Sequence, residues 1–223
     1  MTKNEFTKIE AYMLEHMKDS AHDMHHIYRV LNSATHIACH ESGVDMGVLI
    51  TASLLHDIGR EAQFVDPRLC HAQIGGEMAY DFLLSLEWPE EKALHAKNCI
   101  NTHRYRGDNT PQSIEAKILF DADKLDACGA LGIARTLIYR GSSNQALYIL
   151  DEHNNIITDD STDEWSFFQE YNFKLKNVYG TFYTQHANKL ALDMQKTAIN
   201  FYEGLHDEIS RNYEGGTYAQ FLN

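Results

Sequence analysis

Proline is nearly missing from this chain, with three residues in 223. Clusters of β-branched residues are also few. Without them the chain lacks the punctuation of a strand-rich domain, and its expected class is all-α. No apolar run approaches the ~20 residues that cross a bilayer. The opening stretch MTKNEFTKIE has no apolar core of the kind a signal peptide needs. A cytoplasmic protein with no membrane partner is therefore expected. Positive charge is scarce as well: 19 Lys and Arg against 32 Asp and Glu leave a net charge of -13. That excludes duplex nucleic acid as a general partner, because neutralising phosphates takes a basic face. A small phosphate-bearing ligand would need cations built into its own site. The four cysteines, Cys39, Cys70, Cys99 and Cys128, form no CxxC pair. Lying near apolar residues, they read as reduced core thiols.

Histidine is plentiful, with 13 residues, more than a core requires. The stretch that organises them is Leu49–Arg60, LITASLLHDIGR. Val48, Leu49, Ile50, Ala52, Leu54, Leu55 and Ile58 cover every side of a helical wheel, so this helix belongs in the middle of a domain. It is expected to run to Gly59 and to carry His56 and Asp57 in its last turn. Polar groups buried there must be paired or coordinating.

At this length the chain reads as one domain over 1–223, without repeats or a clear linker. Within it, 20–140 hold the polar inward-facing groups, 141–164 are a surface loop and 165–211 are C-terminal helices. Phe6, Ile9, Met13 and Met17 give 3–18 an amphipathic helical period. The next helix, capped by Asp23, has a core stripe of Ile27, Val30, Leu31, Ala34, Ile37 and Ala38. His26 lies at the stripe's edge, with Arg29 on the same side. His22, His25, His36 and His40 read as solvated surface histidines. Past the central helix, Arg60 and Glu61 lead into a loop signal at REAQFVDPRL. His71 opens a helix in which Gly75 and Gly76 allow close backbone approach. Ala93, Ala96, Ile100 and His103 form one inward stripe, followed by Arg104 and Arg106. A turn at GDNTPQ precedes a helix capped by Ser113, with Ile114, Ile118, Ala122 and Leu125 buried. Asp121, Asp123 and Asp126 surround that stripe, a costly arrangement unless a cation or hydrogen bonds compensate it. Gly129, Ala130 and Gly132 then permit tight helix contact. A short hairpin is expected over Leu147 to Ile157, a helix through Phe168, Tyr171, Leu175 and Val178, and a long one over Phe182 to Arg211. The tail after Asn212 reads as frayed.

Taken together, His26, the pair His56-Asp57 and one aspartate of DADKLD supply two imidazoles and two carboxylates. That set suits a divalent Mn, Fe, Co, Ni or Zn ion, with Mg also admitted. Adjacent helical residues diverge by ~100°, and His56 and Asp57 still reach an ion lying between their directions.

The order H…HD…D, with HHIYRV, LLHDIGR and DADKLDACGALGIAR around its members, resembles the HD-domain metal-dependent phosphohydrolases. It is most similar to their small stand-alone bacterial members. The resemblance covers roughly residues 20–140 and implies a compact α-helical fold with His26, His56, Asp57 and one late aspartate as metal ligands. Ala122-Asp123-Lys124-Leu125 matches the family's late motif, which makes Asp123 the ligand. Asp126 is the fallback, and Asp121 a helper. Some relatives hold a second metal with extra histidines, and His71 and His103 occupy comparable places. The adjacent histidine pair and GYP segment of the cyclic-dinucleotide branch are missing. One metal is therefore expected, a second remaining open, with His71 and His103 facing substrate phosphate or donating a proton. Their bland alternative is core histidines with satisfied hydrogen bonds.

The implied activity is hydrolysis of a nucleotide phosphoanhydride or phosphoester by a metal-activated water. A pyrophosphohydrolase is favoured slightly over a 5'-nucleotidase or cyclic phosphodiesterase. The alternative is a non-catalytic nucleotide or phosphate sensor on the same fold. Asp57, His103 and Glu61 are the expected catalytic residues. Arg29, Arg60, His71, Lys97, Arg104 and Lys124 are the expected phosphate-facing ones, since transferring phosphoryl groups takes local positive charge. Homo-oligomerisation is left open.

Overall fold

The computed structural model describes residues 1–17, 24–104 and 109–214. Asp23, His22, Arg106 and the chain beyond 214 lie outside the described residues, as do positions 107–108 of the GDNTPQ turn. The described chain is all-α, relieved by one isolated antiparallel bridge between Leu150 and Ile156. It divides into two compact units: Met1–Asp126 with Phe182–Ala187, and Ala127–Thr181 with Asn188–Asn223.

The first unit contains α1 (Lys3–His16), α2 (Met24–Ala38), α3 (Met46–Leu55), α4 (Arg60–Val65), α5 (His71–Ser85), α6 (Glu90–Thr102) and α7 (Ile114–Leu125). α1 starts in a capping box, in which Thr2 and Glu5 satisfy each other's backbone N–H. It buries Ile9 and Met13. α3 is capped by Asp45, which accepts from the N–H groups of Gly47 and Val48. Thr51 through Gly59 are buried without exception, and α1, α2, α5, α6 and α7 all pack against α3. Burying side chains such as Leu49, Leu54, Leu55 and Ile58 stabilises the unit by roughly 1.5–3 kcal/mol each. Those side chains make α3 the fixed axis on which the polar groups are mounted.

Two local departures from the sequence reading shape the site. α3 stops at Leu55, before the His-Asp pair, and His56 is its C-cap. Turns continue from there: Ile58 N–H donates to Leu55 O at 3.3 Å and Arg60 N–H to Asp57 O at 3.0 Å. This tightening satisfies carbonyls that a buried helix end would leave without partners. REAQFV is not loop but the six-residue α4, ended ahead of Pro67. Gly59, between the two, is where the turn presses on α5. A Cβ there would lie 2.2 Å from His71 O and 2.7 Å from Gly75 N. Only glycine permits that approach, which brings the start of α5 over Asp57.

The second unit holds α8 (Gly129–Ser142), α9 (Phe167–Phe173), a 3-10 turn at Leu175–Gly180, and α10 (Gln185–Arg211) from Asn188 onward. The stretch after Asp126 is not a continuation of α7: Gly129 has φ +60 and starts a new helix. Its N–H donates to the Tyr179 hydroxyl at 3.0 Å. The segment expected as one helix through Val178 breaks after Phe173 into the 3-10 turn. The surface loop closes as a hairpin, with Ile157 N–H donating to Ile149 O at 2.8 Å. Phe167, Phe168 and Tyr171 are buried, and the Tyr171 ring stacks on Tyr202 at 4.2 Å. Of the cysteines, Cys99 and Cys128 are buried, Cys70 is half-buried and Cys39 is exposed. Cys39 therefore departs from the expected core placement, because it follows the last residue of α2 and turns outward.

Candidate metal centre

Four histidine rings and two carboxylates converge at the α3 end of the first unit. His26 comes from α2, His56 and Asp57 from the turn after α3, His71 from the first position of α5, His103 from the C-cap of α6, and Asp123 from α7. His26, His56, Asp57, His71 and His103 are buried, and Asp123 is nearly so. His26 Nε2 lies 3.3 Å from His56 Nε2, 3.4 Å from Asp123 Oδ1 and 3.7 Å from Asp57 Oδ2. His56 Nε2 is 3.7 Å from Asp57 Oδ2 and 4.0 Å from Asp123 Oδ1. On the other side of Asp57, Oδ1 is 3.2 Å from His71 Nε2 and 3.6 Å from His103 Nε2, and those two nitrogens are 3.2 Å apart. Asp57 thus faces one histidine pair with each oxygen.

The outer ring nitrogens explain why the inner ones are available. His56 Nδ1 donates to Ser53 O at 2.8 Å and His103 Nδ1 to Ile100 O at 2.6 Å. His26 Nδ1 donates to Asp126 Oδ2 at 2.6 Å. A carbonyl or carboxylate can only accept, so all three rings carry a proton on Nδ1. In a neutral ring the Nε2 lone pair is then left facing the cluster. His71 Nδ1 sits 2.6 Å from Gln63 Oε1, an orientation with the same consequence. Lone pairs facing one another at these separations repel unless a cation or proton lies between them. Asp57 Oδ2 is buried without a hydrogen-bond partner, which in a native site calls for an ion or water. Metal–ligand bonds of about 2.0–2.2 Å place neighbouring ligands of one ion about 3–3.5 Å apart. Four of the eight inner separations fall in that range, and the other four run from 3.6 to 4.0 Å. Two sets have ligand atoms mutually within 4.8 Å: His26, His56 and Asp123; and Asp57, His71 and His103. The residues present therefore fit a divalent cation.

Protonation follows the same pattern at His56 and His71 and departs from it at His26. Burial pushes His56 down to about 4, against the pull of Asp57, and His71 to about 3. Both are neutral, ligand-ready imidazoles near pH 7. Burial works against charge on His26 too, but hydrogen bonds to Asp123 and Asp126 overcome it and raise the ring to about 9. Burial alone would raise Asp57, yet the adjoining imidazoles and the Arg60 guanidinium hold it well below the usual carboxylate range. Asp123 is likewise held low against its burial, chiefly by Lys124 and His26.

Each carboxylate of the cluster has its own cation. Arg60 Nε donates to Asp57 Oδ1 at 2.9 Å, and Lys124 Nζ to Asp123 Oδ2 at 3.0 Å. Arg29 grips Asp126 through Nε at 2.6 Å and Nη2 at 3.1 Å. These three cations match three carboxylates, so a bound divalent ion would leave the cluster positive and able to attract phosphate inside an acidic protein. Two further sequence candidates have other contacts. Lys97 pairs with Glu77 at 2.6 Å and lies over the Tyr80 ring. Arg104 points to Cys70 Sγ at 3.9 Å. Glu61 is exposed in the first turn of α4, and no hydrogen bond or ion pair ties it to the cluster among the described residues.

Gln63 and the carbonyls of Ser53 and Ile100 were not foreseen. Each orients a ring: Gln63 lies in the short α4, and the other two are backbone carbonyls of α3 and α6, whose role no side-chain pattern reports. Asp121 also differs from expectation. It faces away from the cluster and accepts from Tyr183 N–H, Thr184 N–H and the Thr184 hydroxyl.

Asp123 and Asp126 are separable by experiment. Asp126 sits on the Nδ1 side of His26, and no ion can bond Nε2 and share that side of the ring. Asp123→Asn is expected to lose the bound metal. Asp126→Asn is expected to keep it at saturation, with affinity weakened by roughly 10–100-fold as for other groups that orient a ligand. Elemental analysis over a metal titration reads both, and the reverse outcome would make Asp126 the ligand.

The HD domain profile matches residues 24–128, the span that holds every residue of the cluster. YpgQ of Bacillus subtilis is 29% identical over 197 residues, which cover 86% of each chain. The crystal structure of YpgQ in complex with ADP superposes with a TM-score of 0.70 at 27% identity, covering 92% of this chain and 97% of that one. An HD-superfamily hydrolase from Bacillus thuringiensis gives a TM-score of 0.71 at 26% identity, with 92% and 97% covered. One from an uncultured Thermotogales bacterium gives 0.60 at 27%, with 92% of both chains covered.

Proposed function

Through residues 24–128 this chain belongs to the HD-domain phosphohydrolase superfamily, and from that premise we propose that it is a metal-dependent hydrolase of nucleotide phosphoanhydrides. The observation that carries the reading is the buried Asp57 carboxylate set between two pairs of imidazoles whose Nε2 atoms face inward. The complex of YpgQ with ADP supports a nucleotide as ligand. His26, His56, Asp57 and Asp123 would hold the ion. Bound there, a divalent ion supplies Lewis acidity toward a phosphate oxygen and lowers the pKa of a water.

The chain's own residues do the rest. Ser53 O and Ile100 O fix the His56 and His103 rings, so the inner nitrogens need no reorganisation. Arg60 and Lys124, each about a fifth to a third exposed, lie where they can shift from carboxylate to incoming phosphate. His71 and His103 face the phosphate, and one of them takes up at Nε2 the proton that the attacking water gives up and hands it to the leaving oxygen. A second reading is favoured by the compact set Asp57, His71 and His103. It gives those histidines to a second ion, with Asp57 bridging.

The test is a nucleotide panel run with metal-stripped protein, restored with Mn, Co, Ni, Zn, Fe or Mg in turn. Pyrophosphate and orthophosphate release identify the bond. Metal-dependent turnover of nucleoside triphosphates or diphosphates is expected. Tight nucleotide binding without turnover in any metal would sink the hydrolase reading and leave a sensor.

A further inference from the structure

A second histidine cluster lies in the first unit, away from the buried centre. His36 is in the last turn of α2, and His40 follows one turn later, just past the helix end at Ala38. Residues four apart share a helix side, so the two rings are neighbours. The third ring is His186, the second residue of α10 and part of the Phe182–Ala187 segment of the same unit. His40 and His186 stack at 3.6 Å with planes 8° apart, so one of the two rings must turn out of the stack for both to bond one ion in their ring planes. His36 stands edge-on to both, at 5.4 Å from His40 and 4.8 Å from His186. One ring nitrogen of each lies within 4.8 Å of the other two.

The cluster is built, not incidental to loose side chains. The buried Asp121 of α7 accepts three hydrogen bonds from Tyr183 and Thr184, at 2.7–2.9 Å, and so fixes the backbone two residues ahead of His186. The Thr184 hydroxyl in turn accepts from Ala187 N–H at 3.4 Å. His40 Nδ1 donates to His36 O at 3.1 Å, leaving its Nε2 lone pair free to bond outward. His36 and His40 are exposed and His186 is half-buried, so an ion has access.

The geometry points to a binding site for an imidazole-preferring divalent transition ion, such as Zn, Ni, Co or Cu, formed by His36, His40 and His186. It contains no carboxylate ligand, so hard ions such as Mg and Mn are poor occupants. His26 of the central cluster sits ten residues earlier on α2, about 15 Å along the axis, so the two sites are separate. An ion here would tie the end of α2 to the segment that Asp121 anchors.

The test uses the full chain in a Cys39→Ser background, because that exposed thiol adjoins His40 and would itself take zinc. Zinc binding is followed by calorimetric titration and by elemental analysis, with Asp57→Ala removing the central cluster. One equivalent of zinc should remain bound in Cys39→Ser/Asp57→Ala. Adding His40→Ala or His186→Ala should weaken it by about tenfold or more, while Mg produces no competing heat. Should Asp57→Ala not fold, the Cys39→Ser chain and its His40→Ala/His186→Ala double variant are compared instead, and a deficit of one zinc per chain is expected. Unchanged zinc affinity in His186→Ala would reduce the site to the α2 pair and overturn the proposal. So would no zinc beyond the central equivalents. Nucleotide turnover is not read at any point, so failure here leaves the hydrolase reading untouched.

Discussion

Asp57→Ala is expected to abolish metal binding at this centre together with hydrolysis, with turnover reduced by at least about a thousandfold. Asp57 is the carboxylate that faces both histidine pairs, His26 and His56 through Oδ2, His71 and His103 through Oδ1. Removing it takes away a ligand and leaves four buried rings without a shared anion. A readout independent of activity comes from thermal unfolding. An ion at a thousand times its dissociation constant stabilises the folded chain by about 4 kcal/mol, roughly 10 °C for a chain of this size. The wild type should show that shift on adding Mn, which the His36, His40 and His186 site does not favour, and Asp57→Ala should show none. A metallated, active Asp57→Ala protein would end the assignment of this cluster as the catalytic centre.

The proximity of His26, His56, Asp57 and an aspartate of DADKLD was legible in the apolar periodicity, and the family resemblance singled out Asp123. Each lies at the edge or end of a stretch whose apolar period is strong, on α2, α3 and α7. A helix that is apolar all round can only be central, and its polar terminus must then meet its neighbours' inward groups. The end of α3 was not legible. His56 closes it by donating from Nδ1 to Ser53 O, a local bond that leaves no mark on hydrophobic periodicity. α4 escaped for a similar reason, since six residues, half of them polar, are too short to carry a period. The three aspartates of DADKLD were distinguishable in principle. Asp121 and Asp123 are two residues apart, ~200° on the wheel, whereas Asp123 and Asp126 fall within ~60°. The structure follows that geometry: Asp123 and Asp126 flank His26, and Asp121 holds the turn at Tyr183–Thr184. The cations could be placed only from three-dimensional contacts. Lys97 and Arg104 look as suitable as Arg60 in the sequence, but their partners are Glu77 and Cys70.

His103→Ala is expected to lower turnover by roughly 10²–10⁴, the range for loss of a general acid or base, while one ion per chain remains bound. The ring is buried at the end of α6, with Nδ1 committed to Ile100 O and Nε2 directed at the cluster. It is 3.6 Å from Asp57 Oδ1, on the face of that carboxylate opposite His26 and His56. An ion held by His26, His56, Asp57 Oδ2 and Asp123 keeps all its protein ligands when His103 is removed. His71→Ala provides the partner measurement, because the two rings share the same Asp57 oxygen at 3.2 and 3.6 Å. If His71 and His103 serve the substrate, both variants keep their metal stoichiometry, lose turnover and retain the metal-dependent thermal shift. If they are ligands, the wild type loaded with Mn holds two ions per chain and each variant holds one. Elemental analysis beside steady-state kinetics separates the cases. Loss of one ion with each histidine would assign Asp57 as a bridge between two metals and retire the single-ion account.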